Sequence, residues 1–246
     1  MRKCKSLVIL ASVALMLALG GCNINSPVEI PDGTRHQGDA NTINGAVDIG
    51  NDVVVEGDVG NVNGSIRIGS NSSVNEVSNV NGAVRIDAGS SASAVETVNG
   101  RIALGDDVTI NGDVGTVNGA VNSGVSVRID GGVETVNGTV TLNRGSRVVK
   151  GISTFNGSIR LTDTQAGELE TSNGSIDLSE GTRIAGELRV VEGSDSESVP
   201  EIYIGQNVEV GGPLVFERPV KLYVHESADV GEIRGAEALP YPDRSD

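Results

Sequence analysis

Thr97-Val98-Asn99-Gly100-Arg101-Ile102-Ala103-Leu104 returns as Thr116-Val117-Asn118-Gly119-Ala120-Val121-Asn122-Ser123, and again as Thr135-Val136-Asn137-Gly138-Thr139-Val140-Thr141-Leu142. Working outward from this stretch, Asn-Gly recurs in register at Asn44, Asn63, Asn81, Asn99, Asn118, Asn137, Asn156 and Asn173, in steps of 19, 18, 18, 19, 19, 19 and 17 residues. A unit this short cannot enclose a core, so its copies must stack into a solenoid whose turns bury apolar residues against one another.

Alignment on Asn-Gly brings further apolar columns into register. One reads Val47, Ile66, Val84, Ile102, Val121, Val140, Ile159, Ile176, and the column two residues later reads Ile49, Ile68, Ile86, Leu104, Ser123, Leu142, Leu161, Leu178. This alternation is that of strands with one buried face. A third apolar column, Ile43, Val62, Val80, Val98, Val117, Val136, Phe155, is read as inward, with Ser172 breaking it. The fourth runs Val59, Val77, Val95, Val114, Val133, Ile152, Leu169, Leu188, and a looser fifth includes Val55, Val74, Ile110, Ile129 and Ile184. The Thr97, Thr116, Thr135, Thr154, Thr171 column is read as outward, a β-branched filling of an exposed strand rather than an ice-binding array.

These columns predict an all-β chain: a parallel β-helix (β-solenoid) of about 8–10 coils with 18–19 residues per coil, right-handed by preference. At ~4.8 Å per coil the rod would be about 40–50 Å long. Asn-Gly is read as a corner where both residues tolerate left-handed dihedrals and the asparagine amides stack coil on coil. The same dipeptide marks two-residue hairpins, so an antiparallel β-sandwich is the alternative. Against it, every column keeps the full period, and no equally regular turn signal lies midway.

Met1 to Cys22 carries the second strong signal. A basic start (Arg2, Lys3, Lys5) precedes an apolar run from Leu7 to Leu19 and then Gly20-Gly21-Cys22. This reads as a secretory signal peptide, 1–21, ending in a lipoprotein box. The run of 13 residues falls short of the ~20 that a spanning helix needs. The resemblance to the lipobox implies cleavage before Cys22 and diacylglycerol attachment to its sulfur. Asn23 in place of Asp then resembles an outer-membrane address. With Cys4 lost in the signal, no thiol remains for disulfide, redox or metal chemistry. Removing three of 18 basic residues and none of 33 acidic ones gives the mature chain a formal charge of 15 − 33 = −18. Such a surface repels phosphate backbones, which argues against nucleic acid as a partner.

The organisation expected is a lipidated tether at 22–40, solenoid repeats at 41–192, a polar loop at 193–200, C-terminal coils and a cap at 201–238, and a tail at 239–246. Tyr203, Phe216 and Tyr223 fall in the expected cap region. No catalytic, cofactor or metal site is expected. His36 and His225 lack companions at ligand spacing, and Ser and Thr have no base at a recognisable spacing. The outward column Asp48, Arg67, Arg85, Ala103, Asn122, Thr141, Arg160, Asp177 suggests ion pairs Asp48–Arg67 and Arg160–Asp177 rather than a carboxylate groove.

The Thr-(Val/Phe/Ser)-Asn-Gly-x-(Ile/Val)-x-(Leu/Val) units from Thr97 to Leu178 resemble the bacterial adhesin-like β-solenoid repeat families, a likeness covering about 41–191. Gly57-Asp58-Val59 and Gly112-Asp113-Val114 are more distantly similar to bactofilins, which polymerise in the cytoplasm; the lipoprotein signal departs from that setting. The resemblance implies an exported, non-enzymatic β-solenoid. The expectation is a lipid-anchored envelope protein with an adhesive or structural scaffold role. Its partners would be the membrane, through the lipid, with an envelope protein, a glycan or a second copy of the chain as further candidates. The alternative is a glycan-binding or polysaccharide-processing β-helix.

Overall fold

The computed structural model describes residues 25–193 and 199–242. Among them there is no helix: the chain is a β-solenoid of about 11 turns in which every strand pairing is parallel. Each repeat contributes three short strands. The strand after Asn-Gly, such as Val47–Ile49 or Ile66–Ile68, joins a sheet of twelve. A two-residue strand, such as Thr109–Ile110, and the strand leading back to Asn-Gly, such as Val114–Thr116, belong to a sheet of 17. Register follows the repeat: Ile102 pairs with Val84 and Val121, and Val114 with Val95 and Val133.

The first, second, fourth and fifth columns form the core; Val59, Ile66, Ile68, Val114 and Ile159 are fully buried. Ser123, the exception in the second column, is buried too, donating to the Gly124 carbonyl and accepting from the Asn143 amide.

The third column and the threonine column exchange places relative to expectation. Thr97, Thr116 and Thr171 are fully buried, Thr135 and Thr154 nearly so, and Ile43, Val62, Val80, Val98, Val117, Val136 and Phe155 are half-buried on the outer side. The reason is parity. Val114 points inward, so on a strand of period two Gly115 points out, Thr116 in and Val117 out. Columns three residues apart cannot share a face. At Thr116, Thr135 and Thr154 the hydroxyl reaches back to the corner of the preceding turn, Thr116 Oγ1 donating to the Gly100 carbonyl at 3.1 Å and Thr135 Oγ1 to that of Gly119 at 3.3 Å, whereas the Thr97 hydroxyl is buried without a hydrogen-bond partner among the described residues. In earlier turns Asn61 and Asn79 do the same through Nδ2, to Gly45 and Gly64.

The Asn-Gly corner is set by crowding more than by left-handed dihedrals. Only Gly64 and Gly82 of the eight repeat glycines have positive φ, and none of the repeat asparagines does. A Cβ on Gly119 would lie 1.8 Å from the Gly100 carbonyl oxygen, and one on Gly157 1.8 Å from that of Gly138. The left-handed residues occupy a different corner, after the first strand: Asp52, Asn71, Asp107, Ser126 and Asn207 among them.

The expected tether at 22–40 is corrected over its described part. Val28–Ile30 pairs with Val47–Ile49 and Arg35–His36 with Val54–Val55, so residues from Val28 onward form the first turn. This turn lacks Asn-Gly but keeps the alternation through Val28 and Ile30. The expected cap is corrected as well. Residues 201–240 continue as regular turns, and among the described residues nothing covers the last one, whose Val230, Ile233 and Ala236 remain half-buried. Residues 239 and 240 of the expected tail belong to the strand Ala238–Pro240. The polar excursion enlarges one turn to 26 residues, from Ile176 to its partner Ile202, without loss of register. Added at both ends, these segments raise the turn count above 8–10. The signal peptide, Cys22 and residues 194–198 and 243–246 lie outside the described residues.

Candidate functional site

With its core-facing columns assigned, the rod is defined by what it presents outward. The half-buried apolar column from Ile43 to Phe155, aliphatic except for Phe155, runs over seven successive turns. On one side it is flanked by the asparagines, and on the other by Glu96, Gly115, Glu134, Ser153 and Glu170, in which carboxylates alternate with small residues.

The asparagines form a continuous hydrogen-bonded ladder. Asn44 Nδ2 donates to Asn25 Oδ1 at 2.7 Å, Asn63 to Asn44 at 2.9 Å, and so on through Asn81, Asn99, Asn118, Asn137 and Asn156 to Asn173. Every amide points the same way along the rod. Arg218 meets the last one, its Nη1 donating to Asn173 Oδ1 at 2.5 Å.

On the twelve-stranded sheet the outward column begins with Glu29, one turn earlier than expected, and continues with Asp48, Arg67 and Arg85; Asp48 and Arg67 are register neighbours. The guanidinium of Arg67 turns instead to Asp87, which also takes Arg85, at 3.0 and 2.6 Å. Arg160 and Asp177 are neighbours as well. Beyond Asp177 the column continues with Tyr203, Tyr223 and Leu239. The two tyrosine rings stack at 4.8 Å with planes 12° apart. Tyr241 stands edge-on to Tyr203 at 6.1 Å and to His225 at 5.7 Å. Beside them Tyr203 donates its hydroxyl proton to Glu201 Oε2 at 2.8 Å, and Lys221 pairs with Glu201 at 3.0 Å. This patch was readable only by carrying the alternation past the polar loop, since Tyr203 lies between inward Ile202 and Ile204.

A groove of about 410 Å³ crosses the face of the two-residue strands, lined by Arg147, Gln165, Arg183, Glu209 and Asp229. Two carboxylates on adjacent turns invite a glycosidase comparison, because Glu209 and Asp229 are register neighbours. Arg183, however, binds both Glu209 oxygens, at 2.9 and 3.2 Å, and this hydrogen bonding holds the carboxyl below its ordinary range. A general acid needs the opposite shift. Glu76 does have a raised proton affinity, from burial first and then from Glu96 and Asp58. The aspartates of the two Gly-Asp-Val segments serve the backbone: Asp113 accepts from the Gly132 amide at 2.8 Å and Asp58 from that of Glu76 at 3.2 Å. Among the described residues no three His, Cys, Asp or Glu gather to hold a metal, and no helix is long and apolar enough to cross a membrane.

No family model, curated protein or solved structure matches the chain.

Proposed function

We propose that this chain is a lipid-anchored, non-enzymatic β-solenoid of the bacterial envelope, held at the outer membrane through Cys22 and serving as an adhesive or structural scaffold. The observation that carries the reading is the half-buried apolar column from Ile43 to Phe155, continuous over seven turns beside the asparagine ladder. An uninterrupted apolar strip on the outer side of the rod, where the neighbouring asparagine column is polar throughout, offers a surface for association. The rod begins close to the anchor, because Asn25, three positions after Cys22, already accepts the first bond of the ladder. About 11 turns at ~4.8 Å then carry the far end roughly 50 Å from the bilayer.

Affinity capture from native envelopes with the anchor intact tests the reading. The double variant Val98→Lys, Val136→Lys is expected to keep the wild-type melting temperature and lose the captured partners. Unchanged capture would remove the column from the function. Cys22→Ser is expected to leave an uncleaved precursor that no longer incorporates a fatty-acid label; equal labelling would remove the anchor.

A further inference from the structure

We propose that the tyrosine patch on the last turns of the rod binds the sugar rings of a neutral polysaccharide. The proposal deepens the adhesive reading, on which it rests for its setting, by assigning the ligand class of one end. The chain has three tyrosines, two phenylalanines and no tryptophan, yet all three tyrosines converge here, joined by His225. The same outward column is filled by Ala103, Asn122 and Thr141 in the middle of the rod, so the fold itself does not call for rings at these positions. All four rings keep part of their surface in solvent.

Their arrangement suits a pyranose. The stacked pair covers one face of each ring, and Tyr241 stands at about a right angle, 81° from Tyr203, so aromatic surface in two orientations is gathered in one patch; a π-system attracts the weakly positive C–H side of a sugar. The Glu201–Lys221 pair next to them supplies an acceptor and a donor for hydroxyl groups, in fixed positions because each holds the other. Apolar surface with a few placed polar groups is the usual composition of a small-ligand site. The charge of the ligand follows from the protein's own. With 33 acidic against 18 basic residues, an anionic glycan would be repelled.

The patch also provides its own reporter. Without tryptophan, and with every tyrosine in this patch, tyrosine emission of the full-length protein reads this patch alone. Cellohexaose, chitohexaose and maltohexaose are the probes, with polygalacturonate as the anionic comparison, followed by tyrosine emission and titration calorimetry. At least one neutral hexasaccharide is expected to saturate the signal. Tyr223→Ala should weaken that binding at least tenfold, Tyr223→Phe should retain most of it, and both should melt near the wild type. The proposal is overturned if none of the three binds up to about 5 mM, the weak end of the affinity range, if Tyr223→Ala binds as wild type, or if polygalacturonate binds better. These outcomes leave partner capture by the aliphatic column untouched, so the two readings fail separately.

Discussion

Arg218 closes the asparagine ladder: its Nη1 lies 2.5 Å from Asn173 Oδ1 and 3.0 Å from the Ser172 carbonyl oxygen. Each earlier asparagine oxygen accepts from the asparagine one turn later, and Asn173 is the last of the series. Where the donor runs out, a guanidinium reaching from a later turn takes its place. Arg218→Ala should leave two acceptors without this donor and cost about 1–3 kcal/mol. Hydrogen exchange should then rise first in 199–242, with the central turns unaffected.

The exchange of the threonine and valine columns gives an opposed pair of variants. Thr116 is fully buried and Val117 half-buried. Thr116→Asp puts a carboxylate into the core at a cost of several kcal/mol, whereas Val117→Asp should cost under about 1 kcal/mol. Thermal melts that ranked the two in reverse would restore the original inward reading of Val117.

Glycine at the corner is required by approach distance. Gly119→Ala would force a Cβ to 1.8 Å from the Gly100 carbonyl oxygen, so the turns must separate, at an expected cost of several kcal/mol. Gly33→Ala meets no atom within 4 Å and bears only the strain of φ +68°, about 1–2 kcal/mol. Equilibrium unfolding of the two variants checks the ranking.

Glu76 is expected to make stability depend on pH. Its folded-state pKa is raised by burial and by Glu96 and Asp58, so the folded chain holds this proton more tightly than the unfolded chain does. Its ionised form therefore destabilises the fold above that pKa, and the penalty disappears as pH falls through it. Glu76→Gln should melt above the wild type at pH 7, and the gap should close towards about pH 4. A gap that widened on acidification would contradict the assignment.

Much of this architecture was legible because a solenoid writes its core as columns. Val47, Ile49, Val59 and their counterparts declared themselves by spacing alone. Thr116 and Val117 did not: hydropathy favours valine for the inside, and only the parity count from Val114, together with the Gly100 carbonyl waiting for a hydroxyl, puts threonine there. Val28 to His36 was hidden because its turn lacks the dipeptide used for alignment. Tyr203 and Tyr223 were visible as a cluster but were read as terminal bulk, since the 26-residue turn between Ile176 and Ile202 breaks the period just before them.

The ladder turns the rod into a ruler. Each Asn-Gly turn between Asn44 and Asn156 has one amide donating to the turn before it and one oxygen accepting from the turn after it. A whole repeat can be inserted there, or removed, without orphaning a bond, and the special chemistry stays confined to Asn25 at one end and Arg218 at the other. Length is then quantised in steps of ~4.8 Å. Gene duplications of 18 or 19 residues can set how far the tyrosine-bearing turns stand from the first turn, with both ends of the rod left as they are.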